Sequence, residues 1–73
     1  MTPRLGQFVV VTSWGPRTGV PGYDTATKAQ RDAHRWLRRS AAEDGEWVTI
    51  LLGATGEVSK RYMRRDGRVV RMQ

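Results

Sequence analysis

Few residues in this sequence are of types that could do covalent chemistry. Cysteine is absent, so neither a disulfide nor a thiolate metal site can form. The one histidine, His34, falls at the edge of a run of arginines, where it reads as a solvated side chain rather than a base. Ser13, Ser40 and Ser59 have no nucleophile elbow around them. The acids Asp24, Asp32, Glu43, Asp44, Glu46, Glu57 and Asp66 show no repeated ligand spacing. The cluster at 43–46 (EDGE) lacks the alternating oxygen ligands of a calcium loop and reads as a hydrophilic helix exit. A chain of 73 residues also has little room to wall off a pocket. A non-enzymatic protein with no metal and no cofactor is therefore expected.

Charge points elsewhere. Thirteen basic residues face seven acidic ones, a formal net charge of +6. Eleven are arginines, at 4, 17, 31, 35, 38, 39, 61, 64, 65, 68 and 71; Lys28 and Lys60 complete the set. Arginine forks suit phosphates, and a positive field steers polyanions. A solubilising surface is the plainer explanation for the same residues. The aromatics Phe8, Trp14, Tyr23, Trp36, Trp47 and Tyr62 are spread through the chain, which argues against disorder. No segment has the length and apolarity to span a bilayer, and residues 1–6 lack a signal-peptide pattern. A cytoplasmic protein without membrane association is expected.

These residues must be held by a small set of elements. Residues 7–14 (QFVVVTSW) read as a strand, with Phe8, Val10, Thr12 and Trp14 on one face and Val9 and Val11 on the other. Apolar residues on both faces predict a strand covered on two sides, or one at an edge that pairs with a second chain. Residues 15–24, rich in Gly and Pro, read as a loop that is not a P-loop, although Arg17 near a helix start could meet a phosphate. Residues 25–44 read as the single helix: Thr27 to Gln30 matches a capping box, Asp24 and Thr25 are rival N-caps, and Gly45 is the stop. Ala26, Ala29, Ala33, Trp36, Leu37 and Ser40 gather on one helical face, and Lys28, Arg31, Arg35, Arg38 and Arg39 on the other.

Residues 46–52, 57–65 and 68–72 read as a three-stranded meander. A four-residue turn joins the first pair, and the type I′ dipeptide Asp66-Gly67 joins the second. The fold class is α+β: a two-layer sandwich of one helix on a four-stranded, mainly antiparallel sheet, in the order β-α-β-β-β, as one domain over 1–73. A parallel pairing of the first two strands through a right-handed crossover is allowed. The Asp66-Gly67 turn sets Arg65 against Arg68 and Tyr62 against Arg71; an unbulged first hairpin would set Thr49 against Lys60 and Trp47 against Tyr62. Val48, Ile50, Leu52, Met63, Val70 and Met72 would then meet the helix. Trp47, Lys60, Tyr62, Arg64 and Arg71 would lie together on the far face, where bases could stack beside cations.

The leading expectation is a small basic DNA- or RNA-binding accessory protein of the phage or plasmid kind. The sheet residues Trp47, Lys60, Tyr62, Arg64 and Arg71 form its main surface, and the stripe Lys28, Arg31, Arg35, Arg38 and Arg39 a secondary one on the opposite side. The second expectation is a protein-binding module, an inhibitor or adaptor, or a homodimer joined at a sheet edge. Three tryptophans and a doubly apolar first strand motivate it.

Overall fold

The computed structural model describes residues 8–16 and 22–72. The chain forms β1 (Phe8–Thr12), the two-residue β2 (Gly15–Pro16), α1 (Ala26–Arg38), β3 (Trp47–Leu52), β4 (Val58–Arg65) and β5 (Arg68–Arg71). All strand pairs are antiparallel, and the sheet order is β2-β1-β3-β4-β5. The single helix packs on four principal strands, as the α+β reading requires. Arg17, in the expected loop, lies outside the described residues.

The first two principal strands are antiparallel, not parallel, and the reason lies between them. Thr12 Oγ1 accepts from the Trp14 amide and donates to the Gly15 carbonyl, closing a tight turn. β2 then returns along β1, and Tyr23 bridges Phe8 with hydrogen bonds of 2.8 and 2.9 Å. The chain is thus back at the Phe8 end before the helix starts. The helix descends, and β3 climbs beside β1 in the opposite sense, pairing Phe8 with Leu52 and Thr12 with Val48. β1 is therefore an interior strand. The edge position that would have joined two copies through it belongs instead to β2 and β5.

Thr25 is the N-cap, with its hydroxyl accepting from the Lys28 amide at 3.2 Å. The helix ends at Arg38, six residues short of the sequence expectation. Two arginines hold this end: Arg39 donates to the Trp36 carbonyl at 2.7 Å, and Arg64 to the Leu37 carbonyl at 2.7 Å. Both bring positive charge to the negative end of the helix dipole, where Glu43 and Asp44 would have been unfavourable inside the helix. Ala29, Ala33 and Leu37 are fully buried against Val10, Val48, Ile50 and Tyr62. The small alanines let the helix lie close to the sheet. Trp36 packs beside this core and is half-buried rather than enclosed.

The Asp66-Gly67 turn has positive φ at both residues, 51° and 73°, and pairs Tyr62 with Arg71 and Arg65 with Arg68 as expected. The first hairpin departs from expectation. Leu51 pairs with Val58, but Ile50 pairs with Lys60, Thr49 with Arg61 and Val48 with Tyr62. One extra residue, Ser59, enters β4 as a bulge. Because side chains alternate, that insertion exchanges the two faces of everything after it. An unbulged register would have set Arg61 under the helix; the bulge sets Tyr62 there and turns Arg61 outward. Burial of an aromatic ring beside Val48 and Ile50 favours the bulged arrangement.

Candidate nucleic-acid interface

The expected sheet platform does not exist as one surface. Trp47 lies on the face away from the helix. Lys60, Tyr62, Arg64 and Arg71 lie on the helix side, because the bulge at Ser59 has moved them there. Tyr62 is 5% exposed, and its ring meets His34 edge-on with centroids 4.9 Å apart, so it offers no face on which a base could stack. Arg64 is committed to structure: it bonds the Leu37 carbonyl and, at 3.2 Å, the Asp44 carboxylate.

The helix stripe fares differently at each position. Arg39 leaves it. Its guanidinium sits 3.9 Å over the Trp36 ring and pairs with Glu46 at 2.7 Å. Lys28 is exposed and pairs with Asp24 at 3.1 Å, one turn away, a contact that water screens heavily. Arg31, Arg35 and Arg38 are exposed and make no hydrogen bond or ion pair with the described residues. Their spacing of four and three residues aligns them on one side of the helix over about 10 Å.

The correction in register brings the two expected surfaces together. His34 lies between Arg31 and Arg38 on the helix and touches Tyr62. Tyr62 is flanked along β4 by Lys60 and across the ladder by Arg71. Cations of the helix and of the sheet thus share one side of the molecule instead of opposite sides. The flank lined by Arg31, His34, Arg35, Arg38 and Arg39 contains no acid. On the other flank, Asp32 joins Tyr23, Lys28, Arg31 and Arg35, and its carboxylate is buried.

Every acid in the sequence lies in the described region, and the one bonded to a residue of that first flank is Glu46, which is buried beneath Arg39. Glu46 has the densest set of contacts and is the position that sequence reasoning missed. It accepts from the Trp14 indole at 2.8 Å, from Arg39 at 2.7 Å and from the Glu43 amide at 2.6 Å. Burial raises the Glu46 pKa, but donation by Arg39, the Glu43 amide and Trp14 outweighs it and holds the carboxyl below its ordinary value. The Gly67 amide does the same for Asp44, with help from Arg64, and Lys28 does so for Asp24.

Comparison with protein-family models, curated proteins and solved structures finds no match. The chemistry of this surface therefore rests on its own residues. Among the described residues no cluster of His, Asp or Glu could hold a metal ion, and no helix is long and apolar enough to cross a membrane.

Proposed function

We propose that this chain binds nucleic acid through its helix side, with Arg31, Arg35 and Arg38 as the principal phosphate contacts and Lys60 and Arg71 beside them. The observation that carries this reading is the acid-free flank on which three exposed arginines repeat along one stripe. Arginine forks bind phosphate oxygens bidentately. Three of them over about 10 Å match roughly three backbone steps of a duplex. With Tyr62 buried and Arg39 covering Trp36, stacking contributes little on this side. The binding is then electrostatic, tolerant of sequence and strongly dependent on salt.

Fluorescence anisotropy with a labelled duplex of mixed sequence, and with its single strand, tests this. The reading predicts duplex binding at low salt that weakens steeply as salt rises, with log K falling against log salt with a slope of about −4 to −5 for the five contacts. It also predicts that the single strand binds no tighter than the duplex, because the rings beside the arginine stripe are closed to bases: Tyr62 is buried and Arg39 covers Trp36. Absence of affinity at low salt, or a marked preference for the single strand, contradicts it.

A further inference from the structure

The sheet face turned away from the helix is covered by no other element among the described residues. The alternation places Val9 and Val11 of β1, Trp47 and Leu51 of β3, Met63 of β4, and Val70 of β5 on it, with Met72 just beyond. Val70 is 36% and Met72 48% exposed, and Trp47, Arg61, Met63 and Met72 line one continuous groove. A contiguous apolar area of this kind on a small chain marks a contact surface.

Its charges identify what fits. Arg61, Arg65 and Arg68 are the ionisable residues of this face, and all three are exposed. Arg61 lies across the sheet, donating to Thr49 at 3.2 Å. Arg65 and Arg68 are directly opposed across the hairpin, a like-charge arrangement that is unfavourable in the free protein. Of the seven acids, Glu46 and Asp44 are tied to Arg39 and Arg64, Asp24 to Lys28, and Asp32 is buried on the helix side; the exposed Glu43 and Glu57 lie outside the strands and Asp66 in the turn between Arg65 and Arg68.

We propose that this face docks an acidic protein segment whose apolar side chains fill the Trp47–Met63–Met72 groove and whose carboxylates meet Arg61, Arg65 and Arg68. A second copy of the chain fits poorly. A two-fold contact would set the same three arginines against each other, with the turn residue Asp66 as the acid beside them, an excess of positive charge on both sides. Residues 1–7, 17–21 and 73 contain Arg4 and Arg17 and no acid, so they bring no complementary charge either. Nucleic acid fits less well than protein, because the face is mainly aliphatic with one half-buried tryptophan. Nucleic-acid surfaces are far more polar, whereas Trp, Met and Arg are enriched where proteins meet.

The test is an amide and indole NMR titration of the full chain with two synthetic helical peptides. Both carry the same apolar pattern; one has Glu and the other Lys at its polar positions. Light scattering is recorded at the same concentration. The proposal predicts a monomer whose Trp47, Met63, Val70 and Met72 signals shift with the Glu peptide and not with the Lys peptide. Arg65→Glu with Arg68→Glu exchanges one like-charge pair for another of opposite sign at exposed positions beside the turn, so the fold stays intact. It should weaken the Glu peptide at least tenfold and admit the Lys peptide. Equal response to both peptides overturns the proposal, as do shifts confined to Arg31, Arg35 and Arg38. A dimer closed over Trp47 overturns it in favour of a second copy. An oligonucleotide that shifts the Trp47 and Met63 signals overturns it in favour of nucleic acid.

Discussion

Glu46 illustrates how one side chain decides the neighbourhood of several others. It joins the β1–β2 turn through Trp14, the helix end through Arg39 and the following loop through the Glu43 amide. Hydrogen bonds to a charged group contribute about 1.5–3 kcal/mol each, and loss of one partner leaves the others unsatisfied. Glu46→Ala should therefore destabilise the fold by about 2 kcal/mol or more, read as a fall in thermal midpoint, and should release Arg39 from Trp36. The same carboxylate sets an acid dependence. Its folded pKa is depressed, so its stabilisation is complete above the unfolded value, about pH 4, and is lost as the pH falls through the lower folded value. Asp44 acts in the same direction. Melting followed from pH 6 downward should show stability declining below about pH 4, and Glu46→Gln should flatten that decline. A Glu46→Gln protein that keeps the parent's acid profile would show that the network contributes nothing. Little in the sequence announces this role. Trp14 is 32 residues from Glu46, and the acid sits in a run that reads as a polar loop.

At the level of elements, two short signals are accurate and one missing residue matters more than either. Thr25, one of the two rival caps, marks the helix start, while Thr27 of the expected capping box lies inside the first turn; Asp66-Gly67 marks the second hairpin with its register. Both are local, since cap and turn geometries are written in one or two residues. Gly67→Val should destabilise the hairpin, because a β-branched side chain resists the 73° φ that the turn holds. Circular dichroism melting would show it, and an unchanged melt would deny the turn its importance. Leu37→Ala should cost about 2–5 kcal/mol, since the side chain is wholly enclosed; Trp36→Ala should cost less, because that ring is half-exposed under Arg39. A Trp36 variant less stable than the Leu37 variant would reverse that assignment. The bulge at Ser59 carries no local mark. It arises from competition between Tyr62 and Arg61 for the place under the helix, and that competition exists only once helix and sheet are packed. The helix end was illegible for a similar reason. Arg64, 27 residues from Leu37, bonds its carbonyl where a glycine stop was expected eight residues further on.

For the whole molecule, that single inserted residue rearranges the charges. It carries Lys60 and Arg71 to the side that bears Arg31, Arg35 and Arg38, and it sends Arg61, Arg65 and Arg68 to the apolar face with Trp47. The general architecture was readable from the order of patterned segments, and the excess of arginine from composition. Which arginines stand together was not, because each strand residue's side depends on the parity of everything before it. The two faces now make opposite demands. The helix side is charge without apolar cover, suited to phosphate; the far side is apolar with a cationic rim. Two variants of equal net charge separate them: Arg31, Arg35 and Arg38 all changed to Ala, and Arg61, Arg65 and Arg68 all changed to Ala. Each loses three positive charges from exposed positions, so any difference between them is a difference of surface rather than of overall field. The deciding measurement is the slope of log K against log salt for duplex binding by the parent and both variants. The helix-side variant should lose about 2.7 from the magnitude of the slope, with most of the affinity, while the far-side variant keeps the parent's slope. Equal losses in the two variants, or a larger loss in the far-side one, would contradict the assignment of nucleic-acid binding to the helix side.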